Sequence, residues 1–277
     1  MRFTTAIAAL LALFACTSPG RTGSDAVSPP VALRVMTFNI RAGNGDLDRI
    51  AGVIRDAAPD IVGLQEVDVH FSPRSNFVDQ AATLARTLRM HVRFAHIYDL
   101  PPDSAGRQPR RYGVAMLSRY PVLDFRNHEL HRLSTVEAEA APKPRSGFLE
   151  ALLDVNGTRV RFFNTHLDYR GDPALRTTQV RETLEILGDS RIPTLLVGDL
   201  NARPDAGELQ PLLARLHDAW GDQADPGYTF PAHAPDRRID YVLHSDHFRV
   251  RSVEVLESTA SDHRPVVADL LMRSERE

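Results

Sequence analysis

FLEALLDVNGTRVRFFNTHLDYRGDPALRTTQVRETLEILGDSRIPTLLVGDLN, residues 148–201, joins two different kinds of strand connection in one stretch. Phe148–Val155 and Arg159–Leu167 read as two strands flanking Asn156-Gly157. That dipeptide favours a two-residue hairpin because both residues tolerate positive φ. A helix over 174–187 follows, with Gly188 as its C-cap, and then a short buried strand over 194–197. A hairpin gives antiparallel pairing, whereas strand–helix–strand gives parallel pairing. Their succession predicts mixed sheets with helices packed outside.

The flanks repeat this pattern. On the N-terminal side, Leu33–Ile40 reads as a strand. Asp46 caps a helix whose apolar residues Ile50, Val53, Ile54 and Ala57 fall at helical spacing, and Pro59 stops it. A buried strand over 61–64, a helix over 78–90, and strands over 91–97, 112–118 and 122–130 follow. On the C-terminal side come a short helix over 208–216 and strands over 239–244, 249–256 and 265–271. Two segments, 99–111 and 131–147, read as long loops. Arg107, Arg110 and Arg111 in the first read as a solvated basic loop, with the grip of a second phosphate as the alternative.

The 277 residues, 43% hydrophobic and 25% charged, have the composition of a globular protein. A net charge of -3 excludes binding to nucleic acid through a dominant positive field, so no stable nucleic-acid complex is expected. Lys143 is the only lysine among 33 cationic residues, which leaves many guanidiniums able to grip a phosphate in bidentate fashion. The lone cysteine, Cys16, allows no intrachain disulfide. It follows an apolar run, Ala6–Ala15, that is too short to span a bilayer and suits a signal-peptide core. Leu13-Phe14-Ala15-Cys16 resembles the bacterial lipoprotein box. Residues 1–15 are therefore read as a lipoprotein-type signal, 16–30 as a flexible tether and 31–277 as one folded domain. The expected product is an exported monomer anchored to a membrane through lipidated Cys16.

Polar residues recur where strands end. They are Asn39, Glu66, His166, Asp199, Asn201, Asp240, Asp262 and His263. Residues two apart on a strand share a face, so Asp199 and Asn201 can point into one site, as can Asn164, His166 and Asp168. If these ends converge, Glu66, Asp199, Asp240 and Asp262 cannot all stay ionised without a cation. An oxygen-rich set without thiolate suits Mg²⁺ or Mn²⁺. Any one of these residues alone is more readily explained as a turn or cap; the other histidines are read as structural.

Taken in order, MTFNI, DIVGLQEV, YGVAMLSR, FFNTHLD, VGDLNARP, RIDYVL and SDHRPVV resemble the blocks of the endonuclease/exonuclease/phosphatase superfamily, the DNase I-like metal-dependent phosphoesterases. The resemblance implies a four-layer αββα sandwich of two mixed β-sheets flanked by helices. It implies one or two Mg²⁺ or Mn²⁺ ions with Glu66 as main ligand, Asn39 beside it and Asp262 close by. It implies that Asp199 and Asn201 orient the attacking water, that His166 binds phosphate, and that His263, oriented by Asp240, sits on the scissile phosphate. The expected substrate is a phosphodiester of a small molecule or lipid headgroup. A secreted nuclease is the alternative, and a non-catalytic binding module the distant one. Asp68 stands where DNase I-like enzymes tend to carry arginine, which counts against the nuclease.

Overall fold

Central strands buried on both faces, and helices buried on one face only, sort this chain into four layers. The computed structural model describes residues 31–137 and 141–273. The signal, tether and Cys16 expectations concern residues outside these. Among the described residues no helix is long and apolar enough to cross a membrane.

Twelve strands form two six-stranded sheets. The first contains β1 (Val31–Asn39), β2 (Ile61–Val69), β3 (His91–Leu100), β4 (Arg110–Ser118), β11 (Phe248–Val255) and β12 (Val266–Met272), in the order β11-β12-β1-β2-β4-β3. The second contains β5 (Val122–Arg132), β6 (Lys143–Val155), β7 (Thr158–His166), β8 (Thr194–Asp199), β9 (His217–Asp218) and β10 (Asp240–His244), in the order β5-β6-β7-β8-β10-β9. Each sheet has one parallel pair, β1–β2 and β7–β8, at its centre. Those are the pairs joined through helices, as the sequence pattern predicts.

Helices α1 (Leu47–Ala57) and α2 (Gln80–Leu88) cover the first sheet, and α3 (Ala174–Leu187) and α4 (Gln210–Arg215) cover the second. The Asp46 side chain accepts from the Arg49 backbone N–H at 3.0 Å and starts α1. Asp79 does the same for α2 through Ala82 at 2.8 Å, which trims the helix expected over 78–90. Between the sheets lies a purely apolar cluster that includes Val35, Ile61, Met116, Phe162, Leu195 and Val242. The result is the expected αββα sandwich.

Three differences from the sequence reading have physical causes. Strand β2 does not stop at Glu66 but continues to Val69 through a bulge, marked by a register shift between Leu64 and Val67. Both expected long loops shorten, because β4 begins at Arg110 and β6 at Lys143. Those strand starts are solvated, so pairing there leaves no apolar alternation to read. The short strand β9 has only two residues, too few for any periodicity.

Gly63 of β2 faces β8 so closely that a Cβ there would lie 2.2 Å from Val197 Cγ2 and 3.1 Å from Asn164 Cγ. The close approach lets Asn164, on β7, reach the other sheet. Its Nδ2 donates to the carbonyls of Leu64 (2.9 Å) and Ala115 (2.8 Å), and its Oδ1 accepts from Gln65 Nε2 at 2.7 Å. A buried amide that satisfies both its nitrogen and its oxygen across the interface sets the sheet register just below the strand ends.

Candidate active site

Strand register brings the first three site residues together. Parallel pairing sets His166 of β7 opposite Asp199 of β8, and antiparallel pairing sets Asp240 of β10 opposite Asp199. Three neighbouring strands thus present a histidine and two carboxylates side by side. Gly198 is required for this: its φ is +155°, and a Cβ would stand 2.2 Å from the Thr165 carbonyl oxygen. The first sheet contributes Asn39 from the end of β1 and Glu66 from the β2 bulge. The turn before β12 contributes Asp262 and His263.

Glu66 and Asn201 both have left-handed backbone, with φ of 56° and 51°. For residues other than glycine this stores roughly 1–3 kcal/mol and is common at functional sites. At Glu66 the bulge re-aims a strand side chain toward the cleft. At Asn201 the turn lets the backbone N–H donate to Asp199 Oδ1 at 3.0 Å, while the side-chain Nδ2 donates to the Leu167 carbonyl at 3.0 Å.

Asp199 Oδ2 is the hub. Asn39 Nδ2 donates to it at 3.0 Å, His166 Nε2 lies 3.5 Å away and His263 Nε2 lies 3.7 Å away. Asn39 Nδ2 also donates to Glu66 Oε1 at 3.1 Å, and its Oδ1 accepts from the Arg41 N–H at 3.1 Å. In this orientation Asn39 bridges two acids; direct ligation of a cation would require its amide to turn over. His263 Nδ1 binds Asp240 Oδ2 at 2.9 Å. The histidine is only 5% exposed, so it is a buried residue and not the open strand-mouth group its position suggests.

The electrostatics follow from this packing. Burial alone would lower the His263 pKa, but Asp240 and Asp199 outweigh it and raise it to about 10. His263 is therefore an imidazolium at neutral pH. Burial lowers the pKa of His166, opposed by Asp199, and this keeps His166 neutral. Two histidines on one carboxylate are thus held in opposite protonation states. Burial and then the Asp240 charge raise Asp199. Burial also raises Glu66, and the nearby Asp262 adds to the effect.

Two groupings could receive a cation. Asp199, Asp240 and His263 offer atoms within 4.8 Å of one another. They already contain a cation, protonated His263, and a metal there would have to displace that proton. Asp240 Oδ1 nevertheless has no partner among the described residues. The Glu66 and Asp262 carboxylates open on the cleft and repel each other. Among the described residues they are bonded by Asn39 (to Glu66) and by Arg41 Nε at 3.4 Å and the Ser261 hydroxyl (to Asp262), and the charges of His263 and Arg74 reach Glu66. Hard oxygen donors with excess negative charge fit Mg²⁺ or Mn²⁺.

The cleft encloses about 460 Å³ and is lined by Glu66, His166, Asp199, Asn201, Asp262 and His263. Asn39 and Asp240 stand behind them. Asp168 reaches the wall paired with Arg170, whereas Asn164 is the cross-sheet tie and does not face the cleft. Arg107 stacks on Phe77 at 4.2 Å, Arg110 donates to the Pro101 carbonyl and Arg111 pairs with Asp99 at 2.9 Å; none lines the cleft. Asp68 is occupied by a bidentate pair with Arg74. The sequence reading missed Arg132, Tyr98, Tyr112, Tyr169, Phe230 and Arg237 on the cleft wall. A partial signal existed for Arg132: period-two alternation puts it on the same face of β5 as buried Leu130, but alternation does not show that its guanidinium turns to the cleft.

The chain matches the sequence model of the endonuclease/exonuclease/phosphatase family over residues 36–263. An endonuclease/exonuclease/phosphatase from Beutenbergia cavernae shares 32% identity and a TM-score of 0.71, covering 87% of this chain and 72% of its own. The human nocturnin catalytic domain with bound sulfate shares 24% identity and a TM-score of 0.66, covering 88% of this chain and 94% of its own. A mannosyl-6-phosphatase from Bacteroides thetaiotaomicron shares 20% identity and a TM-score of 0.64, covering 86% and 99%. The last two likenesses concern the fold alone. No curated protein matches the sequence.

Proposed function

The chain belongs to the endonuclease/exonuclease/phosphatase family of phosphoester hydrolases, and from that premise we propose a Mg²⁺- or Mn²⁺-dependent phosphodiesterase acting on a small molecule or lipid headgroup. The observation that carries this reading is the pairing of opposite charges across one cleft. Glu66 and Asp262 form an anionic edge, and the His263 imidazolium faces them.

Glu66 and Asp262 would hold the cation, with Asn39 beside them; bound there, it supplies Lewis-acid polarisation of the phosphoryl oxygens. The protein's own groups divide the remaining tasks. Asp199, whose carboxylate prefers its proton more than usual, accepts a hydrogen bond from the attacking water and takes its proton as the O–P bond forms. Asn201 fixes the carboxylate through its backbone N–H and offers its amide oxygen to the same water. His263 Nε2–H faces the developing negative charge on a non-bridging oxygen, and Asp240 keeps it protonated. Neutral His166 donates a hydrogen bond to phosphate without adding a competing charge. The leaving oxygen departs as an alcohol once protonated from solvent or from an imidazole.

Export and lipid anchoring through Cys16 belong to the same proposal, as does a monomeric enzyme. The overall charge and the paired arginines of the 101–111 region favour a compact phosphoester over a nucleic-acid strand. The nuclease reading predicts binding that weakens steeply with salt, so plasmid DNA belongs in the same assay. The test uses bis-p-nitrophenyl phosphate, plasmid DNA and phosphocholine lipids with Mg²⁺, Mn²⁺ or EDTA. We expect diester cleavage that EDTA abolishes and Mg²⁺ restores. Glu66→Gln should lose this activity while its metal-free melting temperature rises, because carboxylate repulsion is relieved. Full activity of EDTA-treated protein would overturn the metal reading.

A further inference from the structure

On the wall of the cleft beside His166 stands a cation that has no carboxylate partner among the described residues. Arg132 is 7% exposed and lines the cleft. Its Nη1 donates to the His166 carbonyl at 2.7 Å and its Nη2 to the Gly147 carbonyl at 3.0 Å. Its Nε has no partner among the described residues. The acids whose field reaches it are already engaged, Asp168 by Arg170 and Glu182 by His131. Burial, only partly offset by Tyr98, Tyr112 and these acids, lowers its pKa to about 10, so Arg132 remains charged at neutral pH.

A buried charge held only by carbonyl dipoles is expensive to maintain. Elsewhere on this chain buried guanidiniums have carboxylate partners: Arg176 pairs with Glu208 at 2.8 Å and Arg238 with Asp218 at 2.6 Å. Arg132 differs from both in facing the cleft. Hydroxyl groups accompany it on the same wall. Tyr98 and Thr135 share a hydrogen bond of 3.0 Å. Burial raises the Tyr112 phenol well above its usual value, so that it stays a neutral donor.

We infer that Arg132, with Tyr98, Tyr112 and Thr135, forms an anion subsite adjoining the reacting phosphate, and that the preferred substrates are phosphoesters whose non-reacting part carries a second anion, a carboxylate or another phosphate. The inference rests on the phosphoesterase reading above. It also explains why Arg132 is anchored through the His166 carbonyl: filling the subsite orders the strand end that carries His166. Guanidinium is suited to this role because it offers planar paired donors to either anion.

The test uses three p-nitrophenyl phosphodiesters that differ only at one end, made from glycerol 3-phosphate, 3-phosphoglycerate and glycerol 1,3-bisphosphate. For the native enzyme with Mg²⁺, kcat/KM should be about tenfold or more higher for a charged ester than for the glycerol ester, mostly through KM. Which charged ester leads tells carboxylate from phosphate. Arg132→Met should bring the three values together. Arg132→Lys keeps a cation but loses the fork, and should reduce the preference severalfold; it serves if the methionine variant does not fold. Equal rates on all three esters with the native enzyme would overturn the inference while leaving the phosphoesterase reading intact. So would an equal proportional loss on all three in either variant, which would mean a carbonyl clamp or a contact to the reacting phosphate. Failure to hydrolyse any of the three would bring down both readings.

Discussion

Two hollows of nearly equal size lie among the described residues, and the proposed chemistry belongs to one of them. The cleft at the strand ends encloses about 460 Å³, and a groove along β1, β11 and β12 about 470 Å³. Each has an arginine in its wall. In the groove, Arg34 directs Nε to the Ala57 carbonyl at 2.8 Å, Nη1 to Asp269 at 2.7 Å and Nη2 to Glu254 at 2.9 Å. Burial would lower its pKa, but those two acids outweigh it and raise it. In the cleft, among the described residues, Arg132 lacks a carboxylate, Asp240 keeps an unpartnered oxygen, and Glu66 is a half-buried acid pushed toward its neutral form. Volume does not distinguish a site from a crevice. Incomplete charge pairing does, because a folded protein tolerates it chiefly where a ligand completes it.

The largest effect that would sharpen this contrast is kinetic. His263→Ala and Asp240→Asn should each lower kcat by about 10²–10⁴, the usual contribution of a proton-transfer or oxyanion contact. Because the two act as one unit, the double variant should be little worse than the poorer single one. His263→Ala should also melt earlier, since it leaves Asp199 and Asp240 facing each other without their cation. His247, whose ring bonds Ser245 Oγ at 3.0 Å, is the control and should leave kcat unchanged. Additive losses in the double variant would break the assignment.

The next effect is on stability. Asn164→Leu keeps the volume but strands the Leu64 and Ala115 carbonyls and one Gln65 donor. The expected cost is about 2–3 kcal/mol, or a melting temperature roughly 5–10 °C lower, by calorimetry. A shift near zero would mean that the cross-sheet amide does not fix the strand ends.

A pH effect follows in size. The His263 pKa is about 10 in the folded protein and 6.5 ordinarily. A raised imidazole pKa stabilises fully below about 6.5, and that contribution disappears as pH rises through about 10. The raised Asp199 acts in the same direction, since its ionisation is unfavourable in the fold. The melting temperature of metal-free protein should therefore fall across this window, and His263→Gln should flatten the slope. Parallel curves for the two proteins would contradict the imidazolium.

The smallest expected effect is in the groove. Arg34→Met breaks two partly exposed ion pairs, worth about 1 kcal/mol together, and should leave kcat within error. A large kinetic loss there would erase the distinction between the two hollows.

Most of the fold was legible because its signals are local. Asn156-Gly157 sets a hairpin, Asp46 caps its helix, and short runs of strand formers between turn residues mark the strands. The site residues were legible as types at strand ends, and their order along the chain resembles a family pattern. Their geometry was not legible. The bulge at Glu66, the inward turn of Arg132, the burial of His263 and the orientation of Asn39 depend on contacts between residues distant in sequence. Asn39 and Asp199, for example, are 160 positions apart.

The sequence alone determined mixed sheets with helices outside and acids and histidines at the strand ends, because hydrophobic period and turn chemistry act over a few residues; the sandwich came from the family resemblance. Only the tertiary structure decided which charges are compensated. Register placed His166, Asp199 and Asp240 abreast, Gly63 let the sheets close, and the packing left Arg132 without a carboxylate partner among the described residues. Coulomb energies depend on distance and burial in space, and neither is written in the spacing of residues along a chain.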